Sequence, residues 1–369
     1  MDRIEAFVEQ LLPSLGEIME RAVPGSRVVE VVPLSPDQDQ ADETLKVAGY
    51  GVPLRVRIEG PGGIARTLVL HTATSNVFGH DRRSDRAAEM LLGFDTFGSI
   101  PRHVRALDVG AFRVSGGLVS LRDAGEFYLL TSYAEGQIYA EDLRRISREL
   151  RHTPEDEERA DGLVSYLVSL HSERRGDPQV YRRSVRDLVG SGEGIAGIID
   201  GYPDDVPRAP LARLARIFEA CNRWRWKLRA HEHRCRRIHG DFHPWNVVFD
   251  RDKEPCLLDA SRGSAGDPAD DVACMAMNYL FFAVEHPAAW APSFSGLWRR
   301  FWSTYTQRSG DGALFDLVAP FLAWRGLVVS NPAWYPAVSE EARDSLLTFI
   351  EAALEAPRFA PAMADDVFR

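Results

Sequence analysis

Apolar positions recur every three to four residues over 4–22 (Ile4, Val8, Leu11, Leu12, Leu15, Ile18, Met19), the spacing of an amphipathic helix. Pro13 falls inside that run, where its missing N–H and its ring are expected to kink the helix or split it in two. From about residue 43 the pattern changes to short runs broken by glycine. Runs at 44–48 and 54–58 flank Gly49-Tyr50-Gly51, and Gly60-Pro61-Gly62-Gly63 turns the chain into a third run at 67–71. Three strands joined by two tight turns are the expected result. A helix is expected at about 82–93, through Ala87, Ala88, Met90, Leu91 and Leu92, followed by strands at 104–109 and 127–132. After Glu135-Gly136 the pattern is mostly helical to the end, except for a turn-rich stretch near 238–262. The expected fold class is therefore α+β, with a small antiparallel-sheet lobe joined to a larger, mainly helical one. The expected division is an N-terminal helix at 1–25, a strand-rich lobe at 26–135 and a helical lobe at 136–369.

A chain of 369 residues is too long for one ordinary core, which agrees with two lobes. Hydrophobic residues make up 45% and charged residues 27%, a globular composition. The formal net charge of -10 argues against a nucleic-acid partner, which needs a basic face, and is compatible with a cationic small molecule. Cys221, Cys235, Cys256 and Cys274 form no Cys-x-x-Cys pair, and no signal-peptide pattern opens the chain, so reduced thiols in a cytoplasmic protein are expected. No apolar run approaches the roughly 18 residues of a membrane helix, so no membrane partner is expected. There are no internal repeats, and nothing in the pattern bears on oligomeric state. Almost all basic residues are arginine; Lys46, Lys227 and Lys253 are the only lysines.

The strongest chemical signal is Ile238-His239-Gly240-Asp241-Phe242-His243-Pro244-Trp245-Asn246-Val247-Val248-Phe249. Cys256-Leu257-Leu258-Asp259 follows, and then Gly266-Asp267-Pro268-Ala269-Asp270-Asp271-Val272-Ala273. Asp-x4-Asn puts a carboxylate and an amide oxygen on one short loop. The apolar residues 247–249 are expected to anchor that loop as a buried strand. A second apolar strand at 256–258 would carry Asp259 beside it, so one hairpin, turning through exposed residues 251–255, would present Asp241, Asn246 and Asp259 to a single point. Phosphoryl transfer needs such a set: a carboxylate near the attacking hydroxyl, and oxygen ligands that hold magnesium against a triphosphate.

These segments resemble the catalytic and metal-binding segments of the aminoglycoside phosphotransferase/choline kinase family. The resemblance implies a two-lobed protein kinase-like fold and a magnesium-dependent transfer of the γ-phosphoryl group of ATP or GTP to a hydroxyl of a small molecule. Carried over, Asp241 would be the catalytic base or hydroxyl-orienting residue, and Asn246 and Asp259 would hold Mg2+. Asp271 would brace the loop through backbone N–H groups, with His239 in support. Residues 127–136, including Thr131 and Tyr133, resemble the family's hinge, whose backbone meets adenine. Residues 164–171 resemble its helix ending in Leu-His. Roughly residues 45–330 fit, with an N-terminal extension and a long insert at about 172–235.

One position departs from the family. The third strand should end in a lysine that contacts phosphate and pairs with a glutamate on the next helix. Here that position is His71, with Glu89 as the helix carboxylate and Asp85 one turn earlier. Three accounts remain open: charge supplied from elsewhere, by Lys46 ahead of Gly49 and Gly51 or by Arg55 or Arg57; a direct phosphate contact by His71; or loss of phosphotransfer, leaving a nucleotide-binding regulatory module.

Other signals carry less. Gly192-Glu193-Gly194-Ile195-Ala196-Gly197 matches Gly-x-Gly-x-x-Gly, but it follows an apparently helical stretch where a dinucleotide site needs a strand, and a loop is expected. His231, His233, Cys235, His239 and His243 are dense enough to raise structural zinc, against the plainer reading of a polar helix end entering the loop. All eight tryptophans lie after residue 220; most are expected in the helical core, with Trp245 on the acceptor side of the loop.

Overall fold

In the computed structural model, which describes residues 3–34, 53–260 and 262–368, the first apolar run forms one helix, α1 (Arg3–Ala22), undivided at Pro13. Leu11, Leu15 and Met19 are buried on it. At about 1.5–3 kcal/mol per buried side chain, they offset the roughly 3 kcal/mol that an interior proline costs. Strands β1 (Arg27–Pro33), β2 (Leu54–Glu59) and β3 (Ala65–Leu70) form an antiparallel sheet in that order. Leu54, Val56 and Ile58 of β2 face inward, and Arg55 and Arg57 alternate outward. Val56 and Ile58 join Leu15 and Met19 in a small core.

The pattern reading did not anticipate β1. The strand expected at 44–48, with Lys46 and the Gly49 and Gly51 turn, lies outside the described residues. Helix α2 (Arg83–Thr96) matches the run at 82–93 and extends it. The strand expected at 104–109 is irregular instead; pairing starts at β4 (Gly110–Phe112), which forms a hairpin with β5 (Leu118–Ser120). Residues 127–132 likewise form no strand: Phe127, Tyr128, Leu129 and Leu130 are exposed, and no described segment pairs with them. An apolar run without a neighbouring ladder or a face to bury gains nothing from strand geometry. The chain divides into two compact units, Met1–Thr131 and Ser132–Arg369, with the break inside this stretch.

The second unit runs β6 (Gln137–Ile138), α3 (Tyr139–Glu149), α4 (Pro154–Ser172), α5 (Pro178–Gly190), α6 (Ile195–Asp200), α7 (Leu211–Arg229), β7 (Arg236–Arg237), β8 (Val247–Phe249), β9 (Pro255–Leu257), β10 (Ala265–Gly266), α8 (Ala269–Glu285), α9 (Ser295–Ser309), α10 (Leu314–Leu317), α11 (Ala319–Ser330) and α12 (Glu340–Glu355). Helix α11 is buried along its whole length, and α8 everywhere but at Glu285. A helix apolar on all sides must sit at the centre, and these two do. They also carry Asp270, Asp271 and Arg325, whose charges reach the candidate site. Of the glycine-rich stretch at 192–197, expected as a loop, Gly192-Glu193-Gly194 joins α5 to α6 while Ile195-Ala196-Gly197 forms the first turn of α6, with no strand before it. A Cβ on Gly194 would lie 2.2 Å from the Asp187 carbonyl oxygen, so that glycine serves tight helix packing. Trp224, Trp290, Trp298, Trp302 and Trp324 are buried, whereas Trp226 and Trp334 are exposed. Among the described residues no helix is long and apolar enough to cross a membrane.

Candidate active site

Short pairings hold the loop between β7 and β8 at both ends. Strand β7 pairs antiparallel with β10, and β8 lies between β6 and β9, with Val247 opposite Leu257 and Val248 opposite Cys256. Val247, Val248 and Phe249 are buried, which anchors the loop's exit. Gly240 has φ +86°, and a Cβ there would meet the Gly263 carbonyl oxygen at 2.9 Å, so both conformation and space require glycine.

Beneath the loop lies Asp271, in the first turn of α8 and fully buried. Its carboxylate accepts from the backbone N–H of His239 at 2.7 Å and of Gly240 at 2.8 Å. His171, at the end of α4, stands 3.1 Å from the same carboxylate through Nε2, and its Nδ1 meets the Tyr305 hydroxyl at 2.7 Å. Burial alone would push the Asp271 carboxyl up; His171 and the two backbone N–H groups more than reverse this and hold it below the usual carboxylate range. His239 spans the loop, with Nε2 2.7 Å from the Leu258 carbonyl oxygen and Nδ1 accepting from the Asp241 N–H at 3.3 Å.

Asn246 brings the two other motif residues together. Its Nδ2 lies 3.1 Å from the Asp241 carbonyl oxygen, 3.4 Å from Asp241 Oδ2 and 3.3 Å from the Asp259 carbonyl oxygen. The Leu258 N–H donates to the Asn246 carbonyl at 2.9 Å. With its amide nitrogen so occupied, Asn246 has its side-chain oxygen left as a ligand. Asp259 is exposed, in a left-handed conformation at φ +42°, and its carboxylate makes no hydrogen bond or ion pair with the described residues. One free carboxylate and one amide oxygen suit magnesium, which takes few protein ligands and completes its shell with water and phosphate. Among the described residues no group of three or more His, Cys, Asp and Glu side chains is arranged to hold a metal, the dense histidine stretch at 231–243 included.

Asp241 is partly buried. Burial pushes its carboxyl up, but a hydrogen bond and charge from His243, with Arg325 and Arg262 behind, carry it below the ordinary value. His243 Nε2 stands 3.3 Å from Asp241 Oδ2, and its Nδ1 accepts from the Trp245 N–H at 3.2 Å, so the ring is the Nε2–H tautomer. Burial lowers the His243 pKa more than Asp241 raises it, which keeps the imidazole neutral.

The pattern reading missed several groups here. Arg262, stacked 3.8 Å over the Trp324 ring, donates to the Gly240 carbonyl at 2.8 Å and to Asp270 at 2.6 Å. Asp270 is pushed up to about 6 by burial, against the pull of Arg262. Arg325, 3% exposed on α11, reaches to 3.8 Å from Asp241 Oδ1. Trp245 packs on Phe282 and joins Phe281 and Tyr335 in an aromatic cluster. The available signal for Arg325 was its place as the lone charge in the apolar run Ala319–Ser330.

In the first unit, His71 follows β3, exposed and without a hydrogen bond or ion pair to the described residues. Glu89 pairs with His80 at 3.2 Å, and Asp85 caps α2 by accepting from the Arg82 N–H at 2.7 Å. Arg55 lies 3.6 Å from Glu30. Thr131 and Tyr133 are exposed.

Residues 80–308, more than half of the chain, match the sequence model of the phosphotransferase enzyme family. No curated protein matches the chain. Among solved structures it is similar to an aminoglycoside phosphotransferase from Streptomyces rimosus, at 15% identity over 88% of this chain and 97% of that one, with a TM-score of 0.33. A glucosamine kinase is similar at 13% identity over 91% and 96%, with a TM-score of 0.42. The choline kinase LicA from Streptococcus pneumoniae is similar at 12% identity over 100% and 96%, with a TM-score of 0.31.

Proposed function

The chain belongs to the phosphotransferase enzyme family, and from that membership we propose that it transfers the γ-phosphoryl group of ATP (or GTP) to a hydroxyl of a small molecule, with Mg2+ as its metal. The observation that carries this reading is the Asn246 side chain, which ties Asp241 and Asp259 to one point. Asp241 is the assigned base: ionised at neutral pH and oriented by the neutral His243, it receives the proton of the attacking hydroxyl. A bond forms between the acceptor oxygen and the γ-phosphorus while the bond from that phosphorus to the bridging oxygen breaks. The nucleoside diphosphate leaves with the electron pair. Asn246 and Asp259 are the assigned metal ligands, and the metal supplies charge neutralisation on the phosphates when bound. His239 and Asp271 keep the loop in shape, which matters because this chemistry asks the protein mainly for positioning and electrostatics. His71, Lys46, Gly49 and Gly51 are assigned to the phosphates, with Glu89 as the helix carboxylate, and the backbone at Thr131 and Tyr133 to the base.

Calorimetric titration of ATP, with and without magnesium, tests the metal assignment. Binding should depend on magnesium and be lost in Asp259→Ala; binding indifferent to both would sink the reading. A nucleotide-binding regulatory module is the second reading. It is favoured by a His71 with no partner among the described residues where a lysine is usual, and by Glu89 being engaged with His80. Any phosphorylated product whose formation needs Asp241 excludes it.

A further inference from the structure

Among the described residues of the second unit three arginines are buried: Arg234, Arg325 and Arg343. Arg234 makes bidentate pairs with Asp267 and Asp311. Arg343 donates to the Ser330 and Val338 carbonyls. Arg325 is different. Its guanidinium comes no closer than 3.8 Å to Asp241 Oδ1, too long for a hydrogen bond, and its Nε is buried with no partner among the described residues. A buried guanidinium this poorly satisfied, aimed at the assigned base, is built to meet something that arrives. The Tyr335 hydroxyl lies beside it, and the half-buried rings of Trp245 and Tyr335 line the same region. Arg144 lies over Trp245 at 5.9 Å, a second cation. Asp270, the other carboxylate whose charge reaches Asp241, is committed to Arg262.

We propose that Arg325 reads the atom next to the reacting hydroxyl and that this atom is an oxygen, so that the acceptor is a sugar or polyol with vicinal oxygens. The inference rests on the phosphotransfer reading of Asp241. A guanidinium has donors only, so it satisfies itself on an oxygen and not on an ammonium. With the reacting hydroxyl on Asp241, the oxygen on the adjacent carbon falls to Arg325, while the aromatic rings take the apolar face of the carbon skeleton. An amino alcohol or amino sugar carrying its ammonium at that carbon would bring a second positive charge to a buried, unscreened guanidinium. The site therefore selects against it.

Matched acceptors test this with the full chain, Mg2+ and ATP: glucose against glucosamine, and glycerol against ethanolamine, with product identified by mass and rates from ADP release. The oxygen member of at least one pair should show a kcat/KM ten-fold or more above its amine partner. Arg325→Gln should bring that ratio within about three-fold of unity, whereas Arg325→Lys, which keeps the charge, should retain the preference. The inference is overturned by an amine preference, by equal use within both pairs, by no phosphorylation of either polyol, or by a folded Arg325→Gln that keeps the ratio. Should Arg325→Gln not fold, the wild-type ratios and Arg325→Lys decide. ATP hydrolysis without acceptor, compared with Asp259→Ala, reports the phosphotransfer reading separately: Asp259-dependent hydrolysis alongside an amine preference removes only the inference.

Discussion

Replacing Asp271 with asparagine isolates what holds the loop that carries Asp241 and Asn246. The carboxylate accepts two backbone N–H groups, His239 at 2.7 Å and Gly240 at 2.8 Å, from a position with no solvent access. An asparagine of the same shape has one acceptor oxygen, so its NH2 group must face one of those N–H donors. One charge-assisted hydrogen bond, worth about 1.5–3 kcal/mol, is lost. The N–H that loses this bond is left buried without an acceptor, and the His171 contact at 3.1 Å loses its charge. Because these terms overlap, we expect a loss of about 2–4 kcal/mol rather than their sum. All eight tryptophans lie in the second unit, so the urea midpoint read by tryptophan fluorescence reports that unit. Asp252→Asn in the exposed β8–β9 turn should change stability by less than about 0.5 kcal/mol. A loss below about 1 kcal/mol for Asp271→Asn, at unchanged urea dependence, would refute the claim that this carboxylate fastens the loop.

Asp241→Asn keeps size and most hydrogen bonding but removes the proposed base; kcat should fall about 10²–10⁴-fold while calorimetry finds ATP affinity nearly unchanged. The Asp270 carboxyl is raised to about 6 from an ordinary 3.8, so it favours the folded state when protonated, and that contribution fades as pH rises through about 6. Relative to Asp270→Asn, wild-type stability should therefore drop by about 2 kcal/mol between pH 4.5 and 7 in urea titrations; a flat difference would mean that the carboxyl is not raised. His71→Lys restores the usual phosphate-contacting charge and should tighten Mg·ATP binding by about ten-fold or more if the site is a nucleotide site short of one cation. Weaker binding would show that the histidine itself makes the contact.

Much of the candidate site could be read from the sequence because its residues sit close together in the chain. Asp241 and Asn246 share one loop, Asp259 ends the next short apolar run, and Gly240 and Asp271 stand at fixed offsets from them. Local spacing survives folding, so a carboxylate, an amide and two apolar anchors in that order predict their own geometry. Arg325 could not be read in this way. It meets Asp241 only because α11 is buried across the unit, and a single charge in an apolar run does not disclose its target. The strand misreadings at 104–109 and 127–132 have a related cause, since strand propensity marks residues that suit a ladder, while the ladder itself depends on a distant partner. Strand β1 is hidden in the pattern for the same reason: its partner β2 lies beyond the long connection at 34–53.

The aspartates around the loop can be ordered by how completely the protein satisfies them, and that order separates support from chemistry. Asp267 is fully engaged: Arg234 meets both oxygens, and the Tyr181 hydroxyl and the Ala269 N–H add to them. Asp271 accepts two backbone donors with a histidine alongside, and Asp270 has Arg262. All three are buried, and any change of partner would cost the loop its shape. Asp241 is held only by long contacts, with His243 at 3.3 Å, the Asn246 amide at 3.4 Å, the Cys274 thiol at 3.9 Å and Arg325 at 3.8 Å, and it keeps access to solvent. Asp259 has no side-chain partner among the described residues and is exposed. Carboxylates that shape a site need their lone pairs filled by protein, whereas those that handle a proton or a metal must keep lone pairs free. By that criterion Asp241 and Asp259 are set apart from their neighbours on hydrogen bonding alone, independently of the motif. The same criterion applied to cations singles out Arg325 from Arg234 and Arg343.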